Sequence, residues 1–369
     1  MDRAYEYRDA LPEGAVRGRG AGLRPGNRFE TVRLHVLGEH LDQLAREQPG
    51  ETQIRTQVLP DHSRTIINRV VDSPDISFNW SINPYRGCEH GCVYCYARPT
   101  HEYLGLSCGL DFESKILAKF DAAALLRKEL ASPKWQPETI VMSGVTDPYQ
   151  PVEKKLGITR SIVEVLAECR QPVGFITKNR LILRDLDLLT ELNRHRAVSV
   201  GVSITTLDPA LAAKLEPRAS SPADRLEAIA RLSAAGIPTT VMVAPIIPAI
   251  NDREIPAILK AAAEAGARSA GWVLLRLPYQ IKDLYLDWLR RHFPEKADNA
   301  EHLLRDARGG QLYQAQFGSR MKGQGPVAQQ IRDIFRVFRK RYRLDNPFPP
   351  LSTQAFRRPA GPQLSLFDG

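Results

Sequence analysis

From about residue 80 onward the apolar positions alternate between two periods. Short β-rich runs, 139-TIVMSG-144, 173-VGFITK-178, 197-AVSVGVSITT-206, 239-TTVMVAPIIP-248 and 269-SAGWVLLRLP-278, are each followed by a stretch with apolar residues at helical spacing. Those helical stretches cover about 157–170, 184–194, 222–235, 252–265 and 281–292. A further strand just before Cys88 and a helix near 121–131 bring the pattern to six β/α units. Such alternation predicts an α/β protein whose parallel sheet is covered by helices, and six right-handed β/α units suit a partial (β/α)6 barrel. A doubly wound sheet is the alternative.

The flanks do not share this rhythm. Residues 1–52 carry RGRG at 17–20 and scattered Gly and Pro without a sustained apolar period, which predicts a mobile segment. The barrel with its lead-in then occupies 53–295. Beyond it a helix beginning at Pro326 places Val327, Ile331, Ile334, Phe335, Phe338 and Tyr342 at helical spacing, within a helical extension over 296–345. Between 320 and 343 this region holds Arg320, Lys322, Arg332, Arg336, Arg339, Lys340, Arg341 and Arg343 against the single acid Asp333. Such a face is either solvated or in contact with phosphate. From 346 to 369 the prolines predict an extended tail.

Composition narrows the class. The chain has 369 residues, 43% hydrophobic and 25% charged, as expected for one large or two ordinary globular domains. The stretch 239–250 is too short and too proline-broken to cross a bilayer, and no charged-then-apolar leader opens the chain, so a cytoplasmic protein without a membrane partner is expected. A net charge of +9 points to an anionic partner such as nucleic acid. Five cysteines are an odd number, and three fall within eight consecutive residues, which suits reduced thiols around a metal better than a disulfide framework.

Those three are Cys88, Cys92 and Cys95 in 84-PYRGCEHGCVYCYARP-99, spaced C-x-x-x-C-x-x-C, with Gly87 and Gly91 allowing the loop to curl. Three thiolates at that spacing can hold a 4Fe–4S cluster while leaving one iron open for a small molecule. Zinc, with His90 beside the cysteines, is the competing occupant, although Cys108 and Cys169 stand alone and form no second knuckle.

The cysteine loop with Tyr94 just before its last cysteine resembles the radical S-adenosylmethionine (SAM) superfamily. INPYRGCEHGCVYCYARP, FESKILAKF and SGVTDPYQPVEKKLGITR resemble the branch that contains spore photoproduct lyase. The resemblance, over about residues 62–345, implies the partial barrel, a 4Fe–4S cluster and S-adenosylmethionine as cofactors. It further implies reductive cleavage to a 5′-deoxyadenosyl radical, and a flavodoxin- or ferredoxin-type electron donor. It implies Tyr94 against the adenine, Gly144, Thr146 and Asp147 at the methionine amino group, Lys178 at its carboxylate and Ser203 at the ribose. Each also has a plain role as a packed tyrosine, a turn or a strand cap. Tyr96 resembles a tyrosine of a hydrogen relay. In that branch a hydrogen-donating cysteine occupies the position that is Gly144 here, and Cys108 is the candidate substitute. Glu216-Pro217-Arg218 and 245-PIIPAINDREIP-256 match loops that shape the substrate mouth, and Arg276 either points into it or forms a salt bridge.

The chain ends in 363-QLSLF-367 and two further residues. Gln363, Leu364, Leu366 and Phe367 resemble the peptide by which bacterial repair proteins dock on the DNA sliding clamp; a segment that folds back on the protein's own surface is the alternative. DNA-directed radical chemistry is the leading expectation, with RNA or protein modification, or a non-catalytic metal-bearing nucleic-acid module, as competitors.

Overall fold

Six runs rich in β-branched and aromatic residues lie side by side as parallel strands in the computed structural model, which describes residues 18–23, 25–29, 54–71, 73–142 and 144–359. They are β1 (Trp80–Ile82), β2 (Ile140–Met142), β3 (Val173–Thr177), β4 (Val198–Ser203), β5 (Thr239–Ile246) and β6 (Ser269–Leu274). Each pairs with its neighbour in sequence, giving the order β6-β5-β4-β3-β2-β1, and a short antiparallel strand, Ile67–Arg69, lies along the free side of β1. The sheet therefore curls as a partial barrel, in agreement with the expected fold class and not with a doubly wound sheet.

The helices that follow the six strands are α1 (Ala122–Ala131), α2 (Ile158–Cys169), α3 (Leu186–Arg194), α4 (Pro222–Ala234), α5 (Ile255–Glu264) and α6 (Ile281–His292), the first five of them crossovers. Their starts follow local chemistry: α4 opens with Pro222 in its first turn, and the Ser221 hydroxyl accepts the Asp224 amide at 3.1 Å. Their apolar faces bury Leu126, Ile162, Leu166, Leu189, Ile229 and Leu259 against Val200, Val202, Val241 and Val243 of the sheet. Each such side chain contributes about 1.5–3 kcal/mol on burial.

Two more helices follow, α7 (Pro294–Asp306) and α8 (Gly325–Arg341). Ala328, Ile331 and Phe335 of α8 join the core of the barrel. Ala297, Ala300 and Leu304 of α7 share a second apolar cluster with Trp288 and Leu289 of α6 and with Cys92, Val93 and Tyr94. The cysteine loop thus rests on the helices that follow β6, and the C-terminal extension is packed as part of the body.

Residues 18–23 and 25–29 differ from the mobile segment expected there, because two buried acidic residues hold them, Glu113 the first stretch and Glu102, through Asn27 and Arg28, the second. Glu113 accepts the amides of Gly20 (3.0 Å) and Ala21 (2.8 Å), and Arg19 donates to the Glu113 carbonyl at 2.5 Å. Within the tail that begins at 346, residues 346–359 are non-helical and docked: Ser352 and Arg357 donate backbone bonds to Arg196 (2.9 Å) and Cys169 (2.9 Å).

His101, fully buried beneath the cysteine loop, can only donate from Nε2 to the Lys115 carbonyl at 2.9 Å, and its Nδ1 has no partner. Burial therefore pulls its pKa down to about 4, against the Lys115 bond and Asp111. A depressed histidine pKa gives stability that is complete above about pH 6.5 and is lost as pH falls toward 4. Anaerobic unfolding of the apoprotein should show about 2 kcal/mol less stability at pH 5 than at pH 7.5 from this group. His101→Gln should flatten that dependence; an unchanged slope would remove His101 as its source.

Candidate active site at the mouth of the barrel

The loop from Gly87 to Arg98 leaves the C-terminal side of β1 and turns back across the barrel mouth. Gly87 and Gly91 have φ of 85° and 67°, the left-handed region that favours glycine. Space is short as well: a Cβ on Gly87 would lie 2.8 Å from the His101 ring, and one on Gly91 would lie 2.9 Å from the Glu113 carboxylate. Behind the loop, buried Arg98 donates to the Cys92 carbonyl at 2.8 and 3.0 Å, to the carbonyls of Cys108 and Gly109, and to Glu113. The loop's shape is therefore set by one buried ion pair and two glycines.

Cys88 and Cys92 are buried and Cys95 partly so; none is in a disulfide. Burial pushes all three thiols up, and Asp147, Cys92 and Cys95 raise Cys88 further; among the described residues the side chains are not drawn together into a ready metal cage. His90 does not complete a zinc set. Its Nε2 accepts from the Asn179 amide at 3.1 Å, and its Nδ1 faces Asp147 at 3.4 Å. By the chemistry of its donors, a loop with three free cysteines and its imidazole engaged elsewhere fits the three-cysteine set of a cluster with one open iron.

The other expected residues come from successive strand ends, where barrels place their chemistry. Asp147, after β2, accepts from the Thr177 hydroxyl (2.8 Å), the Lys178 amide (2.8 Å) and the Tyr149 amide (2.9 Å). Thr146 donates to the Gly87 carbonyl at 2.7 Å, and Gln150 bonds both the Glu89 amide and that carbonyl. This pair clamps the cysteine loop, and both side chains are committed to protein partners. Ser203 closes β4 in a buried position. Gly144 accepts from the Tyr96 hydroxyl at 2.8 Å, and Tyr96, 49% exposed, lies with its ring 5.5 Å from the Arg276 guanidinium. Arg276 closes the end of β6 and forms no ion pair among the described residues.

Cys108 is corrected by its position. It is fully buried among Ala21, Leu110 and Leu284, and burial pushes its thiol up to about 12. The apolar pocket made by the docked 18–23 segment encloses it, so it behaves as a small hydrophobe and is not presented at the mouth.

Glu216 proves central, where its sequence context suggested a mouth wall. Its carboxylate receives the Tyr94 hydroxyl, the Thr205 hydroxyl (2.5 Å), the Arg225 guanidinium and, at 3.1 Å, Lys178 Nζ. Burial raises its carboxyl, but Arg225 and Lys178 outweigh that and hold it well below the usual carboxylate range. Lys178 also donates to the Ala244 carbonyl at 3.0 Å and stands 5.8 Å from the Tyr94 ring. Asn251 ties the loop after β5 by bonding the carbonyls of Thr205 and Pro245. Arg225 lies in α4 with no motif of its own, so nothing local marked it, and Glu216 was marked only as part of a loop at the mouth. Gln363, Leu364, Leu366 and Phe367 lie outside the described residues.

Among known proteins, the family model described as the radical SAM superfamily matches residues 82–262. An uncharacterized protein of Mycobacterium tuberculosis is 36% identical over 244 residues, 66% of this chain and 72% of that one. An uncharacterized protein of Methanocaldococcus jannaschii is 31% identical over 173 residues, 47% of this chain and 62% of its own. In structure, spore photoproduct lyase complexed with dinucleoside spore photoproduct superposes with a TM-score of 0.53 at 18% identity, over 77% of this chain and 78% of the other. A double mutant of that lyase with bound AdoMet and dinucleoside spore photoproduct gives 0.54 at 17%, over 86% and 85%. With its partial barrel and three-cysteine loop, this chain belongs to the radical SAM superfamily, whose cofactors are a 4Fe–4S cluster and S-adenosylmethionine.

Proposed function

We propose that the protein cleaves S-adenosylmethionine reductively at a cluster held by Cys88, Cys92 and Cys95, and directs the resulting 5′-deoxyadenosyl radical at nucleic acid. One observation carries the first part: three cysteines on one curled loop at the mouth, two of them buried and the third partly so, and none in a disulfide. The cluster supplies the electron that opens the sulfonium, and S-adenosylmethionine supplies the radical. The chain's own residues bind and orient. Lys178 offers an ammonium for the methionine carboxylate, Tyr94 its ring for the adenine, Ser203 its hydroxyl for the ribose, and the 144–147 segment its backbone for the amino group. Thr146 and Asp147 act by holding that segment against the cysteine loop. A flavodoxin or ferredoxin would deliver the electron, in the cytoplasm. Among the described residues no helix is long and apolar enough to cross a membrane.

The nucleic-acid part is supported by the net charge of +9, by the cationic face of α8, and by the dinucleoside photoproduct bound in the lyases of like fold. The reaction itself stops short of photoproduct repair in this reading, because Gly144 carries no thiol and Cys108 is enclosed. Tyr96 is the hydroxyl nearest to that role. Anaerobically reconstituted protein, reduced with dithionite, should form 5′-deoxyadenosine, faster with DNA than without it. Deuterium from labelled DNA should appear in that product. Equal rates with and without DNA, and no label transfer, would overturn the nucleic-acid part; stimulation by RNA or a protein extract instead would redirect it.

The same reading takes the terminal QLSLF as a docking peptide for the sliding clamp. A synthetic peptide ending QLSLFDG should bind purified clamp, and Leu366→Ala with Phe367→Ala should abolish it, since such anchors contribute about 1–4 kcal/mol each. Undiminished binding by the double variant would mean that these residues are not the anchors.

A further inference from the structure

On the outer side of β6, Ala270 donates to the Leu344 carbonyl at 3.1 Å beside a bridge from Ser269 to Asp345, and Leu274 donates to the Met321 carbonyl at 2.9 Å. Between them a cleft of about 500 Å³ opens against α8. Trp272 and Phe335, with ring centroids 5.9 Å apart, form its apolar floor. Five cations line it, Lys322, Arg332, Arg336, Arg339 and Lys340, against the single carboxylate of Asp345. Lys322 lies 4.0 Å from the Trp272 ring and donates to the Trp272 carbonyl. Burial, with Arg339 beside it, pulls its ammonium down to about 8, as happens where positive groups crowd without enough counter-charge.

We propose that this cleft is a docking site for the sugar–phosphate backbone of a nucleic-acid strand, set on the flank of the barrel and separate from the mouth. The proposal rests on the nucleic-acid reading above and adds the place where the polymer is held. Geometry favours a polymer over a single anion. Arg332, Arg336 and Lys340 recur every four residues along one side of α8, a row about 12 Å long at 1.5 Å per residue. Phosphates recur about every 3.4 Å of rise along a strand, so such a row meets several at once. Arg336 and Lys340 project into solvent, and Arg336 is held only by Asp333 at 2.8 Å, so both are free to turn to a ligand.

The test is fluorescence anisotropy of a labelled single-stranded DNA oligonucleotide with the reconstituted full chain across a salt series. Arg336→Gln with Lys340→Gln should weaken binding roughly tenfold, equally for unrelated sequences, and lower the slope of log affinity against log salt by about 1.4, two contacts at about 0.7 each. A control pair on the exposed faces of α5 and α7, Lys260→Gln with Lys296→Gln, removes the same charge and should leave affinity nearly unchanged. Formation of 5′-deoxyadenosine without DNA should be unaltered in both pairs. Equal affinity and slope in wild type and the α8 pair would overturn the cleft alone. Equal weakening by both pairs would reduce the effect to net charge and also overturn it. Displacement of the oligonucleotide by millimolar orthophosphate, at constant ionic strength, would make the cleft a small-anion site. Failure of wild type to bind any nucleic acid would overturn the cleft together with the reading beneath it.

Discussion

Cys88→Ala, Cys92→Ala and Cys95→Ala should each abolish the visible absorption of the reconstituted protein and all formation of 5′-deoxyadenosine. Wild type should hold about four irons per chain, as one cubane requires. The loss should be complete and not graded, because the loop's imidazole and the next cysteine along the chain are both committed elsewhere. Both nitrogens of His90 face Asp147 and Asn179, and Cys108 is enclosed in an apolar pocket with its carbonyl bonded to Arg98. Cys108→Ala and Cys169→Ala should retain cluster and turnover. Iron content with absorption at each position is the measurement. A variant that keeps a full cluster without one of the three loop cysteines would refute the ligand assignment, and zinc without iron in wild type would refute the cluster site.

Glu216→Ala should cost about 3–5 kcal/mol of stability, because it strands the buried guanidinium of Arg225 and the ammonium of Lys178 without their shared counter-charge. The Tyr94 and Thr205 hydroxyls lose an acceptor by the same change. A carboxyl held low in the folded state gives stability that is present in full above about pH 4.5 and lost only as pH falls further, so the whole effect is seen at neutral pH. Binding of S-adenosylmethionine should weaken as well, since Lys178 and Tyr94 both take their positions from Glu216. Glu216→Gln should keep the shape and lose the charge, with a stability loss close to that of alanine. Denaturant unfolding with isothermal titration checks both. If alanine leaves stability and cofactor affinity intact, Glu216 is not the organiser of this site.

Much of the barrel was legible because its signal is local. Val173, Phe175 and Thr177 in β3, and Ile162, Val163 and Leu166 in α2, repeat at periods of two and 3.6 within a dozen residues, so each element can be read from its own stretch. The observed strands are trimmed at their C-terminal ends: the run read to Thr206 stops at Ser203, and that read to Pro278 stops at Leu274. Beyond those points the backbone leaves the ladder to build the mouth, which composition does not announce. Within the helical extension expected over 296–345 nothing singles α7 out, because its sequence is polar and its three buried residues, Ala297, Ala300 and Leu304, form a narrow stripe.

By itself the sequence determined the alternation that makes a parallel sheet, the single loop of three cysteines, and the excess of positive charge on α8, each written within one short segment. Tertiary structure alone decided which polar groups meet. Glu216 receives Tyr94 from 122 residues away, Glu113 receives Arg98 and the strap at Gly20 from 15 and 93 residues away, and Thr177 reaches Asp147 across 30. The same packing enclosed Cys108 and turned Asp147 and Thr146 from free acceptors into clamps. The physical reason is that periodic burial is a property of neighbours along the chain. A buried charge, by contrast, is stable only beside a partner that the folded chain must bring to it.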